Sequence, residues 1–465
     1  MVQIIQLDTS DRRQVRQFLD LPFRIYRDIP QWVPPLAPDA RFTLDRRRHP
    51  FYQHSAAAFF LATQADREVG RIAALDNRNY NDFNKERTAF FYLFECEDDR
   101  PAAQALFQAA FEWARARGLN RIVGPKGFTA LDGLGLLVKG FEHRPALGLP
   151  YNPPYYPALV EAAGFEPKEE LVSGYLSAKM HFPEKIHQLA ERVQKRRGLR
   201  VARYKTRRDL RALVPKLQAL YNTSLEGTHG NVPLTDAEVK TLADQILWFA
   251  DPRLIKIVMT AERDEPVGFL FAYPDISAAV QRTKGQLFPF GWIDLLLELR
   301  RTKWININGA GIVEKYRGLG GTALLFSEMH KSVVEAGRFE HADIVQIGVE
   351  VVETTRRVVS TSGEESHPQR PRPGVCGDGR ADAVEGNLGE AQRGFQIGGK
   401  ALGCGQVAGV HHAQVRVRRA RALLDYDFLQ SLQSAVVRPN FFQRLDAPVL
   451  ELEKRLDLQD PADEG

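Results

Sequence analysis

The chain has 465 residues, 44% of them hydrophobic and 26% charged, with a formal net charge of +5 and three cysteines. These fractions describe a globular protein and exclude a fibrous repeat or wholesale disorder, and the length asks for two or three domains rather than one core. Cys96, Cys376 and Cys404 are too scattered for a disulfide framework or a CxxC metal site, and so small a charge does not argue for nucleic acid.

In chain order, the first half opens with a strand-like VQIIQL and a helix-compatible stretch over 10–21. A Pro- and Arg-rich connection follows. AAAFFLATQ, VGRIAAL and TAFFYLFEC then read as three strands. A long amphipathic helix over 101–117, the strand in GLNRIVGP, a short helix in YYPALVEAAGF and the strand LVSGYLSAKM complete the half. The second half repeats the order. LRVARY is a strand and 209–224 a helix. Thr235 and Glu238 form a capping box at the start of another helix. LIKIVMTA and PVGFLFAY are strands, 291–300 is helical, KWININGAGIV is a long strand, 321–336 a helix and ADIVQIGV a strand. The expectation is a mixed α/β (α+β) fold built twice, over 1–182 and 183–350.

Beyond residue 350 the character changes. Residues 363–409 hold 12 glycines, and after 350 there are two lysines against 13 arginines. Residues 351–465 are therefore expected to be an irregular Gly/Arg-rich tail with helices over 422–432 and 446–458. The alternative is a segment translated out of frame.

The strongest chemical signal is Lys315-Tyr-Arg-Gly-Leu-Gly-Gly-Thr-Ala-Leu324, a glycine turn between a strand and a helix. Clustered glycines let backbone N–H groups converge, and the helix adds its unpaired N–H groups and positive dipole end, which suits a pyrophosphate. Neither the spacing of a dinucleotide fold nor a Gly-Lys-Ser/Thr signature is present.

A strand, then Arg/Gln-x-x-Gly-x-Gly/Ala, then a helix resembles the acyl-CoA turn of the GNAT N-acyltransferase superfamily, with Thr322 at the usually small sixth position. WVPPL, PFYQH, FFYLFECEDD, IVGPKGF, LPYNPPYYPALVEAAGF, PVGFLFAYPD, LFPFGW and EKYRGLG, in that order, resemble its tandem branch of bacterial ceramide synthase-like proteins. The resemblance implies acetyl-CoA or a longer acyl-CoA as co-substrate, held by Ile312, Val313, Arg317, Gly318, Leu319, Gly320, Gly321 and Thr322. It implies a small-molecule or lipid amine as acceptor, of long-chain sphingoid type if it extends to substrate. No metal and no nucleic acid are expected.

The first half's turn, Glu95-Cys-Glu-Asp-Asp-Arg100, carries four carboxylates that repel phosphate and favour a helix N-terminus. That half is expected to bind no CoA. Glu314, His229 and Asn306 are the candidate catalytic residues. Asp275 is a turn residue near the pocket, Asn308 shares a face with Asn306, and Tyr151, Asn152, Tyr155 and Tyr156 form an aromatic cluster that reads as packing. The superfamily's helix with a thiolate-protonating tyrosine is due just after 350, yet no tyrosine follows until Tyr426. The basic stretch 195–211 is either a solvated face or a contact to an anionic membrane.

No stretch reaches the roughly 18 apolar residues of a membrane span, and the N-terminus has no apolar leader. The expectation is a cytoplasmic N-acyltransferase, with peripheral contact to the inner face of the membrane as the alternative to a solvated face at 195–211. The competing readings are a CoA-binding or regulatory module without turnover, and an inactive product of a shifted frame.

Overall fold

The computed structural model describes residues 1–129, 132–178, 182–224, 231–348 and 448–455. The first half comprises β1 (Gln3–Gln6), α1 (Arg12–Ile25), α2 (Ala37–Leu44), β2 (Ala56–Gln64), β3 (Arg67–Asp76), α3 (Arg78–Asn84), β4 (Thr88–Cys96), α4 (Arg100–Arg115), β5 (Arg121–Gly124), β6 (Leu136–Leu137), α5 (Tyr156–Ala162) and β7 (Glu166–Ser177). A connecting helix, α6 (Glu184–Arg197), leads to β8 (Leu199–Ala202), α7 (Arg207–Ser224), α8 (Asp236–Leu247), β9 (Ile255–Thr260), β10 (Pro266–Pro274), α9 (Ser277–Thr283), α10 (Gly291–Arg301), β11 (Trp304–Ile312), α11 (Gly321–Ala336) and β12 (His341–Gly348). The last described strand is β13 (Pro448–Arg455).

All the described strands join one mixed sheet in the order β1-β2-β3-β4-β5-β13-β7-β12-β11-β10-β9-β8, with β6 beside β13. The two halves mirror each other in pairing. β1 to β4 and β8 to β11 are antiparallel runs, and β4–β5 and β11–β12 are the parallel pairs. Each half buries apolar residues on both sheet faces. In the second half Leu324, Leu325 and Met329 of α11 pack on Ile305 and Ile307, while Leu213 and Leu220 of α7 pack on the opposite face with Ile257 and Phe269. In the first half Leu106, Phe107 and Ala110 of α4 cover one face, and Phe18 of α1 lies on the other with Phe59.

β7 and β13 cross between the halves. β7 follows the first half in sequence but pairs with β12, and β13, from beyond residue 350, pairs with β5 and β7. The helix expected over 446–458 is therefore a strand across 448–455. Leu450-Glu-Leu-Glu453 alternates with period two, Leu452 is 2% exposed, and Glu453 turns to Arg121. The expected helix over 422–432 and nearly all of the Gly/Arg-rich segment lie outside the described residues. The capping box is present, with Thr235 Oγ1 accepting from the Glu238 N–H and the Glu238 carboxylate from the Thr235 N–H.

Candidate active site

Strand pairing creates the cleft. β11 pairs with β12 only over Trp304–Ile307 against His341–Ile344. β12 then follows β7 to Gly348, so residues 308–312 of β11 diverge from it. β11 also carries a bulge. Leu270 of β10 faces Ala310 while Ala272 faces Ile307, leaving Asn308 and Gly309 opposite Phe271 alone. Gly309, at φ 141°, can take this shape without a Cβ penalty, and it and Ala310 are exposed.

Beyond β11 the chain makes the glycine turn. Gly318 and Gly320 have φ of 73° and 85°. Gly320 is required twice over, since a Cβ there would also lie 2.5 Å from Val193 Cγ2 on α6. Gly320 is the N-cap of α11, and among the described residues no side chain caps that helix. Its first-turn N–H groups and dipole are thus available to an anion. Arg317 braces the turn by donating to the carbonyls of Ile312 (3.1 Å) and Ser224 (2.9 Å), and Arg197 donates to the Gly318 carbonyl at 3.3 Å.

The bulged segment opens onto a chamber of about 540 Å³ between α7, α8 and strands β9 to β11. Its wall is largely apolar, including Leu217, Leu242, Ile246, Phe269 and Phe271. A volume of this size is in the range that holds a sizeable organic ligand. Tyr273 lines it beside Asn308, whose Nδ2 donates to the Tyr273 hydroxyl at 2.6 Å. Burial pushes the Tyr273 phenol up to about 12, and that of Tyr221, also on the wall, likewise to about 12. Both stay protonated at neutral pH. The Tyr273 hydroxyl already accepts from Asn308, so its own proton is free to be donated.

The sequence candidates separate in space. Asn308 faces the chamber. Asn306 is fully buried and donates to Asp275 Oδ1 at 3.3 Å, while its own Oδ1 has no partner among the described residues. Asp275 also accepts from Ser277 and pairs with Arg144 of the first half at 3.6 Å, so it ties the halves together as well as shaping a turn. Glu314 is exposed in a short turn between β11 and the glycines. His229 lies outside the described residues. Tyr273 and Tyr221 escaped the sequence reading. The signal for Tyr273 was the alternation Phe269, Phe271, Tyr273, which puts all three on one face of β10.

The first half has the same frame with its gap filled. Leu93, at φ 52°, and Phe94 bulge from β4 opposite Ile72. The Cys96 N–H donates to Tyr156 Oη (2.9 Å), and Tyr155 Oη donates to the Cys96 carbonyl (2.9 Å). Tyr156 and Tyr26 both donate to the partly buried Glu95 carboxylate, and desolvation holds that carboxyl above its usual range despite Arg71. Asp99 caps α4 by accepting from the Ala102 N–H at 3.0 Å.

Most of the basic stretch 195–211 is committed elsewhere. Lys195, Arg200, Arg203 and Arg211 pair with Glu191, Asp264, Glu328 and Asp244, while Arg197 and Arg207 donate to the carbonyls of Gly318 and Ala250. Among the described residues no helix is long and apolar enough to cross a membrane, and no His/Cys/carboxylate group has metal-binding geometry.

The doubled strand order, the bulged and diverging β11 and the glycine turn define a tandem GNAT fold. The chain is 30% identical over 316 residues to the bacterial ceramide synthase of Caulobacter vibrioides, a match covering 65% of this chain and 79% of that one. It therefore belongs to the bacterial ceramide synthase family. It is also 29% identical over 293 residues to protein YghO of Escherichia coli K12, covering 62% of this chain and 73% of that protein. Among solved structures, a tandem GNAT protein of the clavulanic acid biosynthesis pathway aligns over 99% of this chain and 100% of its own, at 12% identity and a TM-score of 0.46. No family model matches the chain.

Proposed function

We propose that the second half transfers an acyl group from acyl-CoA to the nitrogen of a long-chain amine, an amino alcohol or keto-amine of sphingoid type. One observation carries the reading. A largely apolar chamber of about 540 Å³ ends on the exposed, bulged backbone of β11, next to a helix N-terminus that no side chain among the described residues caps. The name of the Caulobacter relative supports the choice of acceptor.

The pyrophosphate rests on the N–H groups of 318–322 with Arg317 beside it. The pantetheine amides run along the backbone of 310–313, and the thioester carbonyl arrives at the bulge. One hydrocarbon chain of the reacting pair fills the chamber, each buried methylene contributing about 0.8 kcal/mol. A neutral amine attacks the carbonyl carbon, the carbonyl oxygen becomes an oxyanion, and collapse breaks the C–S bond and releases the CoA thiolate. Tyr273 hydrogen-bonds the oxyanion and gives its proton to the departing thiolate, and the proton taken from the amine returns to Tyr273, so that the products are the amide and the free CoA thiol. Glu314 and His229 are the candidates to receive the amine proton, and Asn306 positions Asp275.

The test is mass-spectrometric detection of N-acyl product from acyl-CoA and amine series in which acyl and acceptor chain lengths vary independently. A KM that falls steadily along one series assigns the chamber to that chain. Tyr273→Phe is expected to lower kcat about 10- to 100-fold with KM for acyl-CoA unchanged. CoA binding without product from any amine would replace this reading with a binding module.

A further inference from the structure

Among the described residues, large exposed apolar side chains are concentrated in one place. Phe288 is 89% exposed, Phe290 72%, Trp292 51%, Ile293 39% and Leu296 45%, all on the loop entering α10 and on that helix's outer face. Contiguous exposed apolar groups of this kind mark an interaction site. The inner face of α10 is anchored, with Leu295 and Leu299 packing on Leu36, Ile276 and Val280. The Trp292 indole donates to the Pro289 carbonyl at 3.0 Å, so its polar edge is satisfied within the loop.

The charges around the patch point to its partner. Arg282 bridges both nearby carboxylates, Asp294 at 2.9 Å and Glu298 at 2.6 Å, and offsets one of their two charges. Lys284, Arg300 and Arg301 are exposed and make no ion pair among the described residues, so four cations face two carboxylates here. What remains is a tip of Phe, Phe and Trp with surplus positive charge around it. Aromatic rings favour the boundary between headgroups and acyl chains, and each nearby cation adds attraction to anionic lipid.

We propose that residues 288–296 dock the protein on an anionic lipid bilayer, with the aromatic side chains inserted and Lys284, Arg300 and Arg301 at the headgroups. This moves membrane contact away from 195–211, where most side chains are already engaged. The placement also joins the patch to the chamber. Trp248, directly after α8, packs on the cluster that anchors α10, while Leu242, Ile246 and Leu247 of α8 line the chamber. Use of the bilayer as a source of long-chain substrate rests on the function proposed above, but the docking does not.

The test is co-flotation of the full chain with vesicles of phosphatidylcholine, with or without about one third phosphatidylglycerol. Binding is expected only to the anionic vesicles, with a blue shift in tryptophan emission. The triple change Phe288→Ser, Phe290→Ser and Trp292→Ser should weaken binding at least about tenfold without moving the melting temperature, since these side chains support no core. Arg300→Gln with Arg301→Gln should weaken it by less. A wild-type chain that ignores vesicles overturns the proposal, as does a triple variant that binds undiminished. If vesicle binding is absent and the triple variant converts a dimer to a monomer in sedimentation velocity, the patch is an interface between copies and the proposal is again overturned. Binding is read without turnover, so failure to transfer an acyl group counts against the proposed function alone.

Discussion

The two glycine- and acid-marked turns occupy equivalent places in the two halves and end in opposite states. Both follow a bulged strand that diverges from a parallel neighbour. In the first half Asp99 caps α4 internally, and Tyr155 and Tyr156 hold the Cys96 backbone. In the second half Gly320 leaves α11 uncapped, and Gly309 and Ala310 stay exposed. The difference teaches that the same frame can have its backbone groups satisfied from within or leave them open. In the first half a carboxylate sits at the helix N-terminus and hydroxyls hold the strand backbone, the places where the function proposed above puts phosphate and pantetheine amides in the second half.

The comparison breaks most sharply at the open turn. Thr322→Asp puts a charge where phosphate is expected, and Gly320→Asp adds strain and a clash with Val193. Both should abolish CoA-induced thermal stabilisation and lower acyl transfer at least about 100-fold. Thr322→Asp is the cleaner probe because it leaves the glycines intact. Retained stabilisation by CoA in Thr322→Asp would remove the turn from the site.

Leu242→Trp should shorten the chain the chamber accepts. Each methylene lost from the bound chain weakens binding about fourfold, so KM values along the matching chain-length series should diverge only for the longer members. An unaltered profile would mean that the chamber holds neither chain.

Opening the closed half should cost stability and yield no binding. Asp99→Ala removes a cap worth about 1 kcal/mol, and Tyr156→Phe leaves the Cys96 N–H and Glu95 short of a partner at a cost of about 1–3 kcal/mol. Calorimetry should record both losses, and CoA titration should show no second site. A second site appearing in Asp99→Ala would show that the cap alone keeps the first half empty.

The smallest effect concerns pH. Lys256 of β9 is 6% exposed, donates to Ser332 Oγ at 2.6 Å, and is lowered by burial to about 8 despite Glu328. The unfolded chain holds this proton more tightly than the folded one. Stability contributed at this site therefore rises as pH increases from about 8 to about 10.5. Lys256→Met should raise the melting temperature by roughly 2–4 °C at neutral pH and by less at pH near 10.

The sequence exposed local features well and distant ones poorly. β2 and β4 were readable residue for residue because apolar runs end sharply at polar turns, and the capping box of α8 was readable because Thr235 and Glu238 state it within four positions. The seven-residue α3 and α9 were not, since their left-handed ends fall on Lys85 and Lys284 and carry no glycine stop signal, whereas the equally short α5 is followed by Gly164. The exchange of β7 and β13 was hidden, because pairing across hundreds of residues leaves no local mark. In the site, the glycine turn was visible as composition. The meeting of Tyr273 with Asn308 was not, because it depends on the register of two strands and a bulge.

The position of β13 has a consequence for synthesis. Gly124 of β5 pairs with Leu452, near the far end of the chain. Ribosomes add about 5–20 residues each second, so β5 emerges and then waits roughly 15–65 s for its neighbour. Through that interval the first half presents an open strand edge, the kind of surface on which nascent chains aggregate. The first half, although synthesised first, is thus completed after the second, and its yield in the cell should depend on chaperones that shield strand edges during translation.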